Sequence, residues 1–436
     1  MAPTVDLLKS RLMSALVRGG GAGLAVLISI VLARLMGAEG FGEYSVAFAL
    51  ATVLSAFSLL GVPTLLVRET ATYATGERWG DLQGLWYLAP AVTLAASLAL
   101  AGIVLGVISW KPALFPGAAP ATVALAMLLV PVMASLALLS ASIRGMGQVV
   151  LGMIPEQLVR PICMLLGVSA IAMLSGSSEL TPTTSLTMYV MATALAIIIS
   201  LGILIHITPR AAFHGQASYI ESRRWLGSLG PLGFLTVCQV LLGQTDILIL
   251  SAFVEPKQLG LYRVAWQGAA IVSLILLAVG LAVEPEVARL HAQGKRAEVQ
   301  RLVLRTGRLT AAIAAAVLLV FVLFGKWLLS TVFGAEYVAA HPLLVILAAG
   351  QFAFTLAPFS AIVLNMTRNE RKTAKITGVA TVLSILLSVA LTSQFGAYGA
   401  AVSTSVSRFL WKLALARAAK RHADISTIIL TPLRER

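Results

Sequence analysis

The sequence predicts an all-α polytopic membrane protein with twelve transmembrane helices in two six-helix lobes related by internal duplication. Three observations lead to this fold class: an apolar composition, a series of spans long enough to cross a bilayer, and a repeat at half the chain length. Hydrophobic residues make up 58% of the 436 residues, charged residues only 11%, and the mean hydropathy is +0.92. This composition excludes a soluble globular protein, because too few polar side chains are available to cover its surface.

A helix needs about 20 predominantly apolar residues to cross the bilayer, and twelve stretches of the sequence meet this requirement. They lie near residues 14–35, 44–66, 85–108, 121–143, 149–174, 186–208, 228–253, 262–284, 309–330, 343–365, 374–395 and 397–416. The first stretch has basic residues before and inside it and no small-x-small cleavage site, so we expect an uncleaved helix rather than a signal peptide.

The duplication becomes visible when the chain is shifted by 218 positions. The G-x-Y motif that begins at Gly42 then falls on the one at Gly260. The G-[EK]-R motif at Gly76 falls on the one at Gly294, and an apolar span separates the two motifs in both copies. Internal repeats of hydrophobic spans are typical of transporters, in which the substrate site lies at the junction of the repeats.

The repeat and the longest polar connections together predict the domain organisation. We expect an N-terminal lobe over residues 1–208, a cytoplasmic linker over 209–227 and a C-terminal lobe over 228–436, which ends in a short basic tail.

The charge distribution predicts the orientation in the membrane. Most of the 32 lysines and arginines fall on one side when both termini are placed on that side, and the last of these basic segments begins at Lys412. Cytoplasmic loops carry the excess of basic residues, so we expect a multi-pass protein with both termini in the cytoplasm. The net charge of +14 then has its cause in these loops and does not indicate binding to nucleic acid.

The long connection at 287–308 contains apolar residues at roughly helical spacing among arginines and glutamines. This pattern predicts an amphipathic helix on the inner leaflet, with a solvated linker as the alternative. The apolar residues are Val287, Leu290, Val299, Leu302 and Val303.

Glu156 and Arg160 are the first candidates for a functional site, because ionisable groups inside a span cost at least about 2.5 kcal/mol each and usually face a cavity or a partner. Their spacing of four residues places them on one helix face, so they either neutralise each other or line a cavity. Pro155 and Pro161 bracket the pair, and each proline favours a kink.

Asp246 is the clearest candidate in the second half. It falls on one face of the seventh span with Thr236, Gln239 and Gly243, and no basic residue lies nearby in the sequence. A carboxylate removed from water can carry a proton or ligate a cation such as sodium, which predicts a role in ion coupling. A structural hydrogen bond to a neighbouring helix is the alternative.

Several arginines lie at or within the ends of spans. Each one alone is explained by a side chain that reaches the lipid headgroups. Together they would line a basic substrate cavity, because the planar guanidinium group binds phosphate oxygens in pairs. These candidates are Arg18, Arg34, Arg263 and Arg408, with Arg160 as a fifth.

Motifs of enzymes and cofactor sites are missing from the sequence. Its four aspartates are far apart, its five histidines are scattered, and it contains no phosphate-binding G-x-x-x-x-G-K motif. We expect no metal and no cofactor. The glycine-rich stretch 19–23 lies in an apolar helix, where close helix packing explains it better than phosphate binding.

Five segments of the sequence carry a family resemblance. They are the opening R-x-G-[GA] span, LARLMGAEGFGEYS, RGMGQVVLGMIPEQLVRP, FGAEY at 333–337 and LNMTRNERK at 364–372. Together they resemble the bacterial polysaccharide flippases, the Wzx-type O-antigen and capsule translocases of the multidrug/oligosaccharidyl-lipid/polysaccharide (MOP) exporter superfamily. The resemblance covers essentially the whole chain. One departure is Arg368, which stands where the family often has a glycine.

The resemblance implies two lobes around a central cavity that opens alternately to each side of the membrane. It also implies a substrate, a polyprenyl-diphosphate-linked oligosaccharide that moves from the inner to the outer leaflet during polysaccharide or lipopolysaccharide biosynthesis. Membrane lipids, a proton or sodium ion, and polysaccharide polymerases or assembly proteins are the implied partners.

Three other function classes remain as alternatives. One is a lipid-regulated structural or scramblase protein, which would need no titratable cavity residue and should tolerate Asp246→Asn. A cation-coupled exporter of small drugs belongs to the same superfamily, and Asp246 would suit it. An O-antigen ligase or polymerase acts on the same lipid-linked glycans, but such enzymes carry a substantial outer loop, and the outer loops predicted here are short.

Overall fold

The computed structural model describes residues 2–111, 117–174, 180–214, 216–367 and 369–431, and all regular secondary structure within these ranges is helical. Ten helices in these ranges are long and apolar enough to cross a membrane, judged by length and composition. Two of the ten each contain one glycine with non-helical backbone angles, so each consists of two helical segments joined by a kink. The described part of the chain therefore contains the twelve spans that the sequence predicts.

The chain divides into two compact units, Met1–Gln244 and Thr245–Arg436. The helices of the first unit are α1 Ala2–Leu59, α2 Val62–Thr75, α3 Trp79–Trp110, α4 Pro120–Gly145, α5 Val149–Ile154, a π-helical segment Pro155–Val159, α6 Arg160–Leu174, α7 Pro182–Ile207 and α8 Ala211–His214. The division falls within α9, Ser222–Leu250.

The second unit contains the end of α9 and the remaining helices. These are α10 Pro256–Ala292, α11 Arg296–Val332, a 3₁₀ segment Ala335–Ala340, α12 His341–Thr355, α13 Ser360–Met366 and α14 Glu370–Ala423.

Two glycines connect consecutive spans without a loop. Gly37 in α1 has φ 69° and ψ 178°, and Gly396 in α14 has φ 54° and ψ −133°. Because a positive φ is unfavourable for side chains with a Cβ, glycine allows the chain to turn at one residue. The connection predicted at 36–43 is therefore helical on both sides of Gly37.

Two predicted spans are interrupted near their C-terminal ends. The span predicted at 44–66 ends at Leu60, where the chain has φ 38°, and the span predicted at 343–365 is broken before Phe359, with φ 57°. Pro63 and Pro358 lie at these breaks. Proline lacks the N–H that continues a helix and is well tolerated only in the first turn, so both spans restart as shorter helices.

The structure repeats its burial pattern at the shift found in the sequence. Tyr44 and Tyr262 are 7% and 1% exposed, and Ala47 and Ala265 are both fully buried. The two copies of the G-x-Y span therefore direct the same face toward the interior of their own unit.

The turns that follow these spans show that the alignment of the two repeats at a shift of 218 is displaced by one residue at this point. Arg78 and Lys295 each donate their amide to a carbonyl five residues earlier, at 2.9 and 3.0 Å, and each follows a residue in the left-handed region. Those left-handed residues are Glu77 and Gly294, which are 217 positions apart. Matching Gly76 to Gly294 by residue type is thus wrong by one residue, because the backbone of a non-glycine residue takes the left-handed conformation in the first copy.

The segment predicted as a cytoplasmic linker lies against the start of α3. Ser218 donates its amide to the carbonyl of Gly80 at 2.9 Å, and Gln83 donates its side-chain amide to the carbonyl of Ala212. A Cβ on Gly84 would lie 1.9 Å from the Ser218 carbonyl oxygen, so glycine is required for this backbone approach. The segment is therefore fixed to the first unit.

Glu221, within this segment, lies at the centre of an ion-pair network. Its carboxylate pairs with Arg78 and Arg224, both at 2.7 Å, and the Tyr73 hydroxyl donates to it at 2.9 Å. The buried Trp225 indole donates to the Tyr73 oxygen at 2.9 Å. Hydrogen bonds from Arg78 and Tyr73 hold the pKa of Glu221 below its usual value of 4.5, while burial raises the pKa of Tyr73 to about 12.

The prediction of an amphipathic surface helix at 287–308 is wrong. These residues belong to the end of α10, a turn at 293–295 and the start of α11. Val287, Leu290, Val299 and Val303 are at most 4% exposed and form a core cluster with residues of α13 and α14. Their apolar face is covered by protein, so it does not face a membrane leaflet.

The chain after α14 packs against the same core. Gln300 and Ser426 exchange two hydrogen bonds, in which the Gln300 side chain donates to the Ser426 carbonyl at 2.6 Å and accepts from its amide at 2.7 Å. Ile429 donates its amide to the carbonyl of Leu356 at 3.1 Å. The tail therefore provides a donor for a carbonyl at the break between α12 and α13.

We expect Gly84→Ala to lower the free energy of unfolding by about 1–3 kcal/mol, the usual range for overpacking, because the added Cβ must displace the linker backbone. Gly102→Ala in the same helix is the control. A Cβ at position 102 meets no atom within 4 Å, so this variant should be neutral or more stable by up to about 1 kcal/mol. Thermal unfolding of the purified protein measures both, and equal stabilities would contradict the close approach.

The lowered pKa of Glu221 predicts a pH-dependent contribution to stability. Because the folded-state pKa lies below the unfolded value of about 4.5, the ion pairs stabilise the fold above that pH and are lost as the pH falls through the folded-state pKa. We expect the difference in melting temperature between the wild type and Glu221→Gln to be largest near neutral pH and to shrink as the pH falls below the unfolded value of about 4.5.

Glu298→Gln serves as the matched control for this pH series. Glu298 pairs only at 3.3 Å with Lys295, and both side chains are about half exposed, so this substitution should change the melting temperature little at any pH. A pH-independent effect of Glu221→Gln would show that its ion pairs do not cause the stabilisation.

Candidate functional site

The candidate residues of the first unit centre on the π-helical segment Pro155–Val159, which lies between α5 and α6. Arg160 donates its amide to the carbonyl of Pro155, five residues earlier, as a π-helix requires. Pro161 has no N–H to continue an α-helical pattern, which favours the wider turn. The kink that the sequence predicts from the two prolines is thus a local widening of the helix.

Gly21 of α1 packs against this segment. A Cβ at position 21 would lie 2.7 Å from both the backbone oxygen and the side-chain oxygen of Gln157. A Cβ on Gly19 or Gly23 would meet no atom within 4 Å. The helix packing predicted for the glycine-rich stretch therefore depends on Gly21, and its neighbours do not require glycine for space.

Glu156 and Arg160 do not form an ion pair, although their spacing allows one. Both side chains are half-buried, and the Arg160 guanidinium lies over the ring of Tyr189, 5.2 Å from its centroid. Arg144, at the end of α4, lies within electrostatic range of Glu156 and of Arg18. Its buried Nε has no hydrogen-bond partner among the residues that the structure describes. The sequence assigned Arg144 to a cytoplasmic loop and so did not identify this group.

Arg18 and Arg34 cannot both bind one diphosphate. They lie sixteen residues apart on the first straight part of α1, which corresponds to about 24 Å along the helix axis. Both are exposed. If both arginines line the single basic cavity proposed from the sequence, they would therefore have to contact the substrate at different stages of transport or at different ends of it.

Asp246 is buried at 7% exposure and is fully engaged in hydrogen bonds. Its Oδ2 accepts from the Tyr262 hydroxyl of α10 at 2.7 Å and from Thr404 of α14 at 3.5 Å, and its Oδ1 accepts from the Ile247 amide at 2.9 Å. The carboxylate thus links three helices of the second unit. Gln239, on the same predicted face of α9, is exposed.

No cluster of three or more histidine, cysteine or acidic residues that could hold a metal ion occurs in the parts of the chain that the structure describes. A sodium ion at Asp246 would therefore have to use hydroxyl and carbonyl oxygens as its other ligands.

Two arginines of the second unit share one aromatic ring. The guanidinium carbon of Arg263 lies 4.9 Å from the Trp266 centroid, and that of Arg408 lies 5.8 Å from it. The indole N–H of Trp266 is buried and has no hydrogen-bond acceptor in the described ranges. Cations bound to an aromatic face keep their charge available for an anion.

Lys412 is the functional candidate that the sequence analysis missed. Its side chain is buried at 7% exposure, and its ammonium lies 4.2 Å from the ring centroid of Phe354. No carboxylate lies within 4 Å of it in the described part of the chain. With Thr404 and Arg408 it forms a row on one face of α14, spaced by four residues. That spacing is visible in the sequence, but Lys412 was counted with the basic tail.

The fold is similar to that of two solved structures. The chain superimposes on a structure described as the inward-facing conformation of a multidrug resistance MATE family transporter of the MOP superfamily, with a TM-score of 0.70, 13% identity and coverage of 94% of this chain and 98% of the other. A structure of the lipid II flippase MurJ gives a TM-score of 0.72 with 12% identity and coverage of 94% and 87%. At these identities the likeness establishes the fold alone.

The family follows from the sequence match. The family described as polysaccharide biosynthesis protein matches residues 7–291, and the MatE family matches residues 231–390. Because the first match covers more than half of the chain, the chain belongs to the polysaccharide biosynthesis protein family. The resemblance inferred from the sequence segments is confirmed. Arg368, the residue that departs from the family pattern, lies outside the described residues.

A curated relative is the probable low-salt glycan biosynthesis flippase Agl15 of Haloferax volcanii. It is 25% identical over 162 residues, which make up 37% of this chain and 34% of that protein. The match thus spans about a third of the relative's length.

The contacts predict different couplings within the two candidate groups. Because the Tyr262 hydroxyl donates to the Asp246 carboxylate, a double-mutant cycle of Asp246→Asn and Tyr262→Phe should give a coupling energy of about 1 kcal/mol or more in thermal or denaturant unfolding. The cycle of Glu156→Gln and Arg160→Gln is the control. It should be additive within about 0.5 kcal/mol, and strong coupling there would show that the two residues pair.

Proposed function

We propose that this protein is a flippase that carries polyprenyl-diphosphate-linked oligosaccharides from the cytoplasmic to the outer leaflet by alternating access. In this proposal it acts as a transporter without enzymatic activity, in polysaccharide or lipopolysaccharide biosynthesis. Its location is the bacterial inner membrane with both termini in the cytoplasm. Membership of the polysaccharide biosynthesis family and the membrane-spanning fold support the proposal.

The observation that carries it is the row of cations on α14. Removing an ammonium ion from water costs several kcal/mol unless an anion or another strong partner replaces the water. Phe354 supplies only part of this compensation to Lys412, since cation–π contacts contribute about 2 kcal/mol when desolvated. A diphosphate bound beside Lys412 and Arg408 would supply the missing negative charge.

The chemistry of the proposed substrate requires a polar path through the membrane. Each unpaired polar group of a glycan costs several kcal/mol in hydrocarbon, so the oligosaccharide needs a polar route. Outward movement of an anionic diphosphate is favoured by an inside-negative potential by about 2.3 kcal/mol per charge per 100 mV. Asp246 is proposed as the residue that couples transport to a proton or sodium ion, because it joins α9, α10 and α14 through hydrogen bonds that such an ion would replace.

The same proposal includes the predicted domain limits, which are 1–208 for the N-terminal lobe, 209–227 for the linker and 228–436 for the C-terminal lobe. It also includes partner proteins that polymerise or assemble the glycan. Arg18, Arg34, Glu156, Arg160, Gln239 and Arg263 remain proposed cavity residues.

A second candidate is a cation-coupled exporter of small molecules. It is favoured by the MatE match over residues 231–390 and by the buried carboxylate of Asp246. The row of Arg408 and Lys412 opposes it for cationic drugs, because like charges would repel the substrate. No observation in the described residues favours an O-antigen ligase or polymerase.

The test is outer-leaflet labelling of the lipid-linked glycan in cells that lack the protein and are complemented with variants. We expect the wild type to restore labelling, Lys412→Met to reduce the initial rate by about 10-fold or more, and Lys326→Met to behave as the wild type. Lys326 is the control because its side chain is exposed near the end of α11. Unchanged labelling in the deletion strain, together with sensitivity to cationic dyes, would establish the exporter instead.

Vesicles with purified protein test the diphosphate contact directly. Lys412→Met, Arg408→Ala and Arg160→Ala should slow the flipping of a diphosphate-linked glycolipid more than that of an uncharged analogue. Equal losses with both lipids would show that these residues do not bind the diphosphate.

A further inference from the structure

A groove on the first unit lies apart from the charged residues described above. Helices α3 and α7 both pack against α4, and residues of all three line a cavity of about 360 Å³. The α3 residues that line it recur at helical spacing, as do those of α4 and α7, so the groove runs along the helices. Ala212 of the linker helix α8 lies at its cytoplasmic end.

Three polar side chains in the groove are already bound. Gln83 donates to the Ala212 carbonyl, Ser135 donates to its own helix at the carbonyl of Pro131, and the Trp86 indole donates to Thr70. The rest of the lining is mostly apolar, with five leucines. A ligand with several hydrogen-bonding groups would therefore find few partners, whereas a hydrocarbon chain would lose nothing on entering.

The groove opens through side chains that are exposed on membrane-spanning helices. Tyr87 of α3 is 64% exposed, and Leu201 and Ile205 of α7 are 47% and 55% exposed. Large apolar residues exposed beside a groove mark a binding surface. In a chain that crosses the bilayer, the molecules with apolar chains that reach such a surface at highest concentration are the membrane lipids themselves.

Basic side chains beside the groove favour a lipid with an anionic headgroup. His206 follows Ile205 directly, Arg210 lies two residues before Ala212, and both side chains are exposed. Tyr87 and Trp86 are aromatic residues of the type that concentrates at the headgroup level. A basic surface at this level attracts anionic lipids by about 1 kcal/mol per charge.

We propose that this groove binds one acyl chain of an anionic phospholipid from the cytoplasmic leaflet, with the headgroup beside His206 and Arg210. The bound lipid is not the transported substrate. It contacts Ala212, whose carbonyl holds Gln83, and so it stabilises the attachment of the linker to α3. The site therefore makes the linker sensitive to the anionic lipid content of the membrane, whichever molecule the protein carries.

The test uses phosphatidylglycerol with a photoreactive diazirine in its acyl chain, added to the full-length protein in phosphatidylcholine nanodiscs. Mass spectrometry of the labelled protein then locates the cross-links. We expect enrichment on residues 83–90, 135–142 and 201–205, and we expect unlabelled phosphatidylglycerol to compete at least about 10-fold better than added phosphatidylcholine. Labelling in proportion to exposure, or equal competition by both lipids, would overturn the proposal.

A pair of variants separates the groove from the general lipid-facing surface. Ile205→Trp should block the mouth and lower cross-linking to α3 and α4 several-fold. Ile198→Trp places the same side chain on the same helix, at a residue that is 66% exposed but does not line the groove, and should leave cross-linking unchanged. An equal effect of the two substitutions, or no effect of either, would contradict a site in the groove. Because the readout is lipid contact, failure of the flippase proposal would not alter this result.

Discussion

The requirement that every backbone N–H and C=O find a partner in a membrane governs this structure. Continuous helices meet the requirement without outside help, which explains why all regular secondary structure in the described chain is helical. The requirement becomes visible where helices break. The Leu356 carbonyl, at the break after α12, receives a hydrogen bond from Ile429 of the tail, and the π-helical segment retains a bond from Arg160 to Pro155 despite two prolines. Non-helical backbone is thus tolerated where other protein groups cover it.

Charges within the spans are compensated differently according to their sign. Asp246 is compensated by hydroxyl groups of two neighbouring helices, whereas Arg160, Arg408 and Lys412 lie against aromatic rings rather than carboxylates. An aromatic ring makes a buried cation tolerable without neutralising it. A carboxylate partner would hold each cation in a closed ion pair, from which a passing anion would have to displace it.

Much of the fold could be predicted from the sequence because the signals are local. Hydropathy gives the number of spans, and glycine content at the first span indicates close packing, which the contact of Gly21 with Gln157 bears out. The predictions fail where one local sequence pattern fits two different environments. The apolar face at 287–308 looks the same whether lipid or protein covers it, and only tertiary structure shows that α13 and α14 do. Lys412 lies within the span predicted at 397–416 but was counted with the basic tail, because a lysine near the end of a span can reach the headgroups.

The attachment of the linker to α3 also means that the chain need not be continuous there. Ala212 is held by Gln83 on one side of the segment, and Ser218 and Glu221 are held by Gly80 and Arg78 on the other. A chain cut between residues 212 and 218 would leave both new ends anchored to the same helix. The protein could accordingly assemble from two separately synthesised polypeptides, joined at this point by contacts rather than by a peptide bond.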